Sequence, residues 1–391
     1  MIELGKAQEL AGNHLINPGT ETVPLEIAPG RVLAEDLFAD CVAPPFSRAT
    51  MDGYACRKED LPGPLEVLET VPAGKLPAKM VGCGQCCRIM TGAMIPEGAD
   101  CVIMQEYVET GRDGRILFTA GETETNISPM GEDLKEGDLL LQKGTLITPG
   151  HVGIIASAGK TRVKVSRTLN IGILATGDEL IEPELQPEGA QIRNSNSHQL
   201  AAQVRRAGHI PGMMGIVEDH RATLGKRITQ VIEKVDLLLL TGGASVGELD
   251  LVPGVVQELG FRLEFDRVAI QPGKPVSFAH RGDNVCFGLS GNTVSSFVQF
   301  ENLVRPYLEK CSGMIPVHKR ILSIMEKGYR RKQSDRLFFL PVSFTGQGTC
   351  EPVEYHGSGH LHVLAKAAGF VEIPAGQKEI MKGDQVHVRL V

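Results

Sequence analysis

The spacing of hydrophobic residues changes along the chain. From residue 168 onward, short apolar runs alternate with segments of helical length: TLNIGILAT precedes SNSHQLAAQVRRAG, and DLLLLTGG precedes LVPGVVQELG. Apolar runs of four to eight residues are typical of buried strands, and strands that alternate with helices form a mostly parallel sheet. Residues 168–316 are therefore predicted to form an α/β domain with a central, doubly wound, mostly parallel sheet.

The segments on either side have other patterns. The apolar spacing of LGKAQELAGNHLI predicts an amphipathic helix, and Thr148 followed by Pro149 predicts the start of another helix. Residues 41–137 are dense in Gly, Pro and short β-type runs, which predicts a β-rich domain. Short strands between Gly-containing turns from residue 317 predict a small C-terminal β-barrel. We expect four domains: residues 1–40 with 138–167, residues 41–137, residues 168–316 and residues 317–391.

Composition narrows the function classes. The net charge of −7 gives no overall field that would attract nucleic acid or an anionic membrane. No apolar run approaches the ~20 residues needed to span a bilayer, and the N-terminus lacks the pattern of a signal peptide. Nine cysteines without an export signal indicate reduced thiols. We therefore expect a cytoplasmic protein that binds neither nucleic acid nor membranes.

Three of these cysteines, Cys83, Cys86 and Cys87, form a CxxCC cluster. One interpretation is a redox or metal site, and the other is a turn that carries buried or half-buried thiols. No second CxxC and no spaced His pair completes a zinc ligand set, so the pattern favours the turn.

Loops at the ends of predicted strands carry the candidate chemistry. In an open α/β sheet, ligands bind outside the carboxyl ends of the strands. Three such loops carry a carboxylate, namely Glu179, Asp219 and Asp250. The glycine-rich loop from Gly242 to Gly247 can offer backbone N–H groups to an anion, and nearby carboxylates can hold a divalent metal. The alternative for each loop is a tight βα turn that binds no ligand.

A lysine and two turns complete the set of candidates. Lys274 lies between two prolines in Gln271-Pro-Gly-Lys-Pro, where it is either an oxyanion ligand or a solvent-exposed loop lysine. The segments MDGYA and RIMTGA, taken alone, predict turns.

Together these segments resemble the MoeA/gephyrin E-domain family of molybdopterin molybdenumtransferases. The family's order and spacing are seen in PPFSRATMDGYA, RIMTGAMIPEGADCVIMQE, MGEDLKEGD, LATGDEL, TGGASVGELD, QPGKPVSFA and GLSGNTVSSF. The tail EYHGSGHLHVLAKAAGFVEIPAG resembles the family's last domain. The similarity therefore spans nearly the whole chain.

The resemblance implies an enzyme of molybdenum cofactor biosynthesis. In the implied reaction, adenylylated molybdopterin loses AMP and molybdate is joined to the pterin dithiolene, assisted by Mg²⁺. It also implies an elongated homodimer in which residues 1–40 with 138–167 link and dimerise the subunits. The active site would lie between the α/β domain of one subunit and the MDGYA domain of the other. Possible protein partners are the molybdopterin adenylyltransferase and apo-molybdoenzymes.

The resemblance also assigns roles to individual residues. The implied catalytic residues are Asp52, Thr91, Asp133, Glu179, Asp219 and Asp250. The implied pterin- and anion-binding residues are Gly242, Gly243, Ser245, Gly247, Lys274, Ser290, Gly291 and Asn292. The implied metal ligands are Glu179 and Asp250.

The sequence departs from the family pattern in three places. Gln271 stands where the family has a lysine, Ser290 and Thr293 stand where it has prolines, and Asn126 begins a stretch that is usually rich in arginine. These changes leave two alternatives open: a non-catalytic paralogue that binds pterin or acts as a scaffold, and a protein for another oxyanion such as tungstate. Adenylyl transfer to molybdopterin ranks last, because enzymes of that activity lack the MDGYA domain.

Overall fold

The chain folds into two compact units. The computed structural model describes residues 1–242, 251–316, 320–355, 357 and 359–391. The first unit comprises residues 1–35, 143–148 and 162–391, and the second comprises residues 36–142 and 149–161. The second unit is therefore built from segments that interrupt the first along the chain.

A six-stranded sheet forms the centre of the first unit. Its strands are β1 (Asn170–Thr176), β2 (Ile210–Val217), β3 (Leu237–Thr241), β4 (Arg262–Arg267), β5 (Pro275–Arg281) and β6 (Asn284–Leu289). They lie in the order β2-β1-β3-β6-β5-β4. The first four strands in this order are parallel, whereas β5 is antiparallel to both of its neighbours. The predicted doubly wound, mostly parallel sheet is thus confirmed, with an antiparallel edge.

The helices of this domain follow the predicted alternation. They are α1 (Ser195–Arg206), α2 (Arg221–Ile232), α3 (Leu251–Glu258), α4 (Thr293–Gln299) and α5 (Arg305–Cys311), with the π-helical segment Phe300–Val304 between the last two.

Strand β3 shows why the sheet is covered on both faces. Leu237 and Leu239 pack in one hydrophobic cluster, and Leu238 and Leu240 pack in another. Alternating side chains of a strand point to opposite faces, so a continuous apolar run requires two cores.

The C-terminal part of the first unit is a closed barrel, as predicted. Its five strands are Arg320–Met325, Leu337–Gly346, Thr349–Pro352, Gly369–Ile373 and Gln385–Leu390. Phe338, Leu340 and Val388 are buried inside it. The short strand Ile270–Gln271, which precedes the Lys274 loop, pairs in parallel with the barrel strand that begins at Leu337. The barrel is therefore joined to the central domain through the backbone.

Other short elements complete the first unit. The N-terminal helix Leu4–Gly12 lies where the sequence predicted it. The remaining strands pair as Thr20–Pro24 with Arg162–Ser166, Leu180–Ile181 with Ile192–Arg193, and Tyr329–Arg330 with Glu379–Ile380. The remaining helical turns are Leu25–Ile27 and Val363–Lys366.

The second unit is β-rich, as predicted. Its largest sheet has the strand order Glu66–Val71, Gln85–Ile89, Gly53–Cys56, Cys101–Met104. Smaller pairs are Leu37–Phe38 with Leu139–Leu141, Arg48–Ala49 with Ile127–Ser128, and Val108–Thr110 with Ile116–Phe118. Its helices are Pro149–Ser157 and the short 3₁₀ turns Lys58–Asp60 and Gln105–Tyr107. The first of these helices begins at the predicted proline. None of the described helices of the chain is long and apolar enough to cross a membrane.

Gly53 of the MDGYA segment lies in the middle of the largest sheet of this unit. A Cβ atom added there would lie 1.9 Å from the carbonyl oxygen of Ile103 on the neighbouring strand. The strands must separate to admit a methyl group, so we expect Gly53→Ala to lower the free energy of unfolding by about 2–4 kcal/mol. Urea denaturation followed by circular dichroism measures this change.

The matched control is Gly5→Ala in the N-terminal helix, where an added Cβ meets no atom within 4 Å. This substitution should change the free energy of unfolding by less than about 1 kcal/mol. Equal effects of the two substitutions would contradict the strand contact.

Candidate functional site

The carboxyl ends of β1, β3 and β6 meet with almost no space between their backbones. Gly242 follows β3 with a φ of +104°, and an added Cβ would lie 1.9 Å from the carbonyl oxygen of Thr176 at the end of β1. An added Cβ at Gly291, after β6, would lie 3.4 Å from the Cα of Gly242. Only glycine suits position 242, both for its φ and for the close approach. Gly242 therefore lies directly between the end of β1 and the turn after β6.

A pocket opens at this junction. Its lining includes Thr176, Glu179, Asn194, Asn196, Thr241, Gly242, Gly291 and Thr293. The side-chain amide of Asn196 donates to the hydroxyl of Thr241 (3.0 Å) and to the carbonyl of Gly291 (2.8 Å). Among the described residues, the Oδ1 of Asn196 and the Nδ2 of Asn194 find no hydrogen-bond partner although both atoms are buried. Buried polar atoms without a partner are costly, so these two amides have unused hydrogen-bonding capacity beside the pocket.

Two of the predicted carboxylates lie beside β1. Glu179 is exposed and lines the pocket. Asp219 is also exposed, and its carboxylate accepts a hydrogen bond from the hydroxyl of Thr176. The carboxylate of Asp178 in turn accepts from the backbone N–H of Asp219 at 3.0 Å. These bonds connect the loop after β1 with the loop after β2.

The buried side chain of Gln299 connects the Lys274 loop to the loop after β6. Its Oε1 accepts from the backbone N–H of Ser290 (2.8 Å), and its Nε2 donates to the carbonyls of Gly273 (2.9 Å) and Pro275 (2.6 Å). The two carbonyls flank Lys274 in sequence, so this amide sets the position of the lysine backbone. The Lys274 side chain itself is half-buried.

The loop after β6 contains the predicted residues Ser290, Gly291 and Asn292. Ser290 is buried, and its hydroxyl accepts from the backbone N–H of Asn292 at 3.2 Å. Gly291 and Asn292 are exposed. Ser290 stands where the family has a proline, and its hydroxyl stabilises the turn by this hydrogen bond.

In the second unit, Asp52 and Thr91 are in direct contact. The Oδ1 of Asp52 accepts from both the backbone N–H and the hydroxyl of Thr91, each at 2.7 Å. The hydrogen bonds from Thr91, together with the positive charge of Arg88, lower the pKa of the exposed Asp52 carboxyl. Asp52 is therefore an oriented, ionised carboxylate at neutral pH.

Asp133 lies on a separate turn of the same unit. Its backbone N–H donates to the carbonyl of Ala43 at 3.0 Å, and its side chain is exposed. Across the described ranges, no hydrogen bond joins its side chain to Asp52 or Thr91. The predicted residues Gly243, Ser245, Gly247 and Asp250 lie outside the described residues.

Comparison with known proteins decides the family. The family model for the MoeA N-terminal region (domains I and II) matches residues 2–159, that for a probable molybdopterin-binding domain matches residues 172–310, and that for the MoeA C-terminal region (domain IV) matches residues 327–391. The chain belongs to the MoeA family.

Individual relatives of the MoeA family match over nearly their whole length. A protein of Bacillus subtilis named molybdopterin molybdenumtransferase is 36% identical over 386 residues, which cover 95% of this chain and 90% of the relative. A protein of the same name from Haemophilus influenzae is 33% identical over 94% of this chain and 93% of its own. The crystal structure of the molybdopterin biosynthesis MoeA protein from Pyrococcus horikoshii OT3 matches with a TM-score of 0.85 and 30% identity over 100% of both chains.

Three side chains of this MoeA protein's pocket region were not predicted as functional: Thr176, Asn196 and Gln299. A threonine at the end of an apolar strand and an asparagine at a Ser/Asn-rich helix start are signals that sequence reasoning can use, because such positions face the sheet edge. Gln299 gives no such signal, since its partners lie nine or more residues away on other elements.

Two of the three cysteines of the CxxCC cluster are part of the hydrophobic core. Cys86 and Cys87 are buried on the strand Gln85–Ile89 rather than in a turn, and Cys83 is exposed. Burial raises the pKa of the Cys86 thiol to about 12. A protonated, buried thiol is a poor metal ligand, which favours a packing role for Cys86 and Cys87.

Replacement of Gln299 should loosen both loops that it joins. Gln299→Leu leaves the Ser290 N–H and two carbonyls without their partner, so we expect the free energy of unfolding to fall by about 2–4 kcal/mol. The Ser290 amide should also exchange its hydrogen faster, which hydrogen-exchange mass spectrometry detects. Gln257→Leu, at an exposed helix position, should leave the free energy of unfolding and the exchange rate of the Ser290 amide nearly unchanged. If the two variants behave alike, Gln299 does not join the two loops.

The titration of Asp52 should respond to the Thr91 hydroxyl. Because Thr91 lowers the pKa of Asp52, the bond between them is fully present above the usual aspartate pKa and is lost as the pH falls through the lower, folded-state value. Thr91→Val removes the hydroxyl but keeps the backbone donor, so the pKa should rise partway toward normal. A carboxyl ¹³C NMR titration measures it, with the exposed Thr110→Val as control. An unchanged pKa in Thr91→Val would show that the hydroxyl bond is absent in solution.

Proposed function

We propose that this chain is a molybdopterin molybdenumtransferase, which joins molybdate to adenylylated molybdopterin and releases AMP. The observation that carries the proposal is the pocket at the ends of β1, β3 and β6, lined by residues of the matched molybdopterin-binding region. Relatives that bear this enzyme name match over nearly the whole chain, and the family model for the N-terminal region covers the MDGYA segment. The reaction belongs to molybdenum cofactor biosynthesis.

In this proposal, the pterin occupies the pocket. A pterin ring offers hydrogen-bond donors and acceptors along one edge, and the pocket residues Asn194 and Asn196 have a buried donor and a buried acceptor without partners among the described residues. Pairing these atoms with the ligand removes the cost of leaving them unsatisfied. The proposal thus gives a role to polar atoms that the fold itself does not use.

In the same proposal, Lys274 and the predicted glycine loops bind the anionic groups of the substrates. Two anions, molybdate and a phosphorylated pterin, repel one another, and a fixed cation stabilises both. Gln299 holds the lysine loop against the Ser290 loop. With Gln271 in place of the family's lysine, Lys274 would supply this charge without a second lysine in the same loop.

A divalent metal fits the same edge of the sheet. Carboxylate oxygens are the ligands that Mg²⁺ prefers, and it commonly takes one or two of them together with substrate phosphates. We propose Glu179 as one ligand, because it is exposed and lines the pocket, and Asp250 as the other. When bound, Mg²⁺ would offset the charge of the reacting anions.

We further propose a cytoplasmic homodimer with the four domains given above. All nine cysteines are free, which supports a reducing compartment. Asp52, Thr91 and Asp133 of one subunit would act on the substrates bound by the α/β domain of its partner. The oriented, ionised carboxylate of Asp52 supports a role beside the substrates. The adenylyltransferase that makes the substrate and the apo-molybdoenzymes that receive the product are the proposed protein partners.

Lys274→Met and Asp52→Asn should each reduce activity at least a hundredfold, since each removes a charge that acts on the reacting groups. The measurements are AMP release from adenylylated molybdopterin and activation of an apo-molybdoenzyme. Lys332→Met, at an exposed barrel position, is the matched control and should retain full activity.

The same two variants also test the dimer. Mixed subunits of Lys274→Met and Asp52→Asn form dimers with one intact site, so refolding them together should restore about a quarter of wild-type activity. No restoration would contradict a site shared between subunits. A wild-type protein that binds the pterin but releases no AMP would instead support the scaffold alternative, for which Gln271, Ser290 and Thr293 are the motivation.

A further inference from the structure

Three metal-ligating side chains lie together far along β5 from the candidate site. They are His14, just after the N-terminal helix, Glu264 on β4 and His280 on β5. Strand β5 begins at Pro275, next to Lys274, and His280 lies five residues further on. An extended strand rises about 3.3 Å per residue. The group therefore lies toward the ends of the strands that are opposite to the pocket. Across the described part of the chain, these are the three residues whose ligand atoms all lie within 4.8 Å of one another.

A β-bulge places Glu264 in the group. Leu263 pairs with Ala279 and Phe265 pairs with Phe278, so Glu264 is the extra residue between them. Phe265 and Phe278 stack in the core on the same face as His280. The bulge therefore lets Glu264 lie beside His280 while the next residue still packs in the core. Bulges commonly re-aim a side chain in this way.

The two histidines are held by their surroundings. The hydroxyl of the buried Tyr307 donates to the backbone carbonyl of His14 at 2.8 Å. The His14 ring stacks on the His280 ring with centroids 3.5 Å apart. His280 is mostly buried between its neighbours. The three side chains therefore lie together in the folded chain, but the stacked rings must tilt before a nitrogen of each can face one ion.

The distances suit a small cation. The Oε1 of Glu264 lies 3.2 Å from the Nε2 of His280 and 3.7 Å from the Nε2 of His14. Ligand atoms around a tetrahedral zinc, with bonds of about 2.0–2.2 Å, are separated by similar distances. The guanidinium of Arg262 forms an ion pair with Glu264, its Nε lying 2.8 Å from the same Oε1. Because the Arg262 side chain is 76% exposed, it can turn toward solvent or remain as an outer partner of the carboxylate.

From this geometry we infer that His14, Glu264 and His280 bind one divalent transition-metal ion, with Zn²⁺ as the best match. Two imidazoles and one carboxylate form a ligand set that zinc accepts, with a fourth position for water. Binding would require the stacked rings to tilt apart so that one nitrogen of each faces the ion. It ties the segment after the N-terminal helix to β4 and β5. This site is separate from the proposed Mg²⁺ site and does not depend on the proposed function.

The test measures binding of Zn²⁺ and Co²⁺ to the full chain. The exposed thiols Cys41 and Cys83 are first replaced by serine, because thiolates bind these ions strongly. After treatment with a chelator, titration calorimetry should show one Zn²⁺ per chain, and Co²⁺ should give the visible absorption of a low-symmetry site. Zn²⁺ should also raise the melting temperature, since it binds the folded state.

The informative variants are His14→Gln and Glu264→Gln, with the exposed barrel residue His387→Gln as the matched control. The first two should weaken Zn²⁺ binding at least tenfold and abolish both the Co²⁺ spectrum and the rise in melting temperature. The control should bind like its parent. Circular dichroism without metal verifies that each variant folds. If His14→Gln and Glu264→Gln both bind Zn²⁺ as tightly as the control, the three residues form a hydrogen-bonded cluster and the proposed zinc site is wrong.

Discussion

No side chain fits between the backbones of Thr176 and Gly242, where β1 and β3 end side by side. This contact determines how closely the ends of β1 and β3 can lie, and the candidate pocket is lined by Thr176, Gly242 and Gly291 at this place. Asn196 completes the arrangement, because its amide donates to both Thr241 and Gly291. The shape of the candidate pocket therefore depends on a backbone contact that only glycine permits.

Much of the architecture was predictable because it depends on local patterns. The run from Leu237 to Leu240 requires two cores, and a strand within a covered sheet supplies them. Pro149 begins a helix because its ring lacks an N–H that a first turn does not need. The position of the candidate pocket follows from the same logic, since strand-end loops of a parallel sheet share one edge.

Other features could not be predicted because they depend on contacts between distant residues. Nothing near Gln299 in the sequence indicates that its amide bonds to the carbonyls of Gly273 and Pro275. The bulge at Glu264 depends on how two strands align, and His14 contacts His280, which is far away in the sequence. Hydrophobic periodicity reports which face of an element is buried, but it carries no information about which polar groups meet there.

The short strand Ile270–Gln271 has a consequence for the Lys274 loop. This strand is hydrogen-bonded to the barrel on one side and leads directly into the loop that carries the lysine. Gln299 holds the other side of that loop. The position of the lysine backbone is therefore determined jointly by the C-terminal barrel and by the α/β domain, so a substitution in either domain can alter where this cation lies.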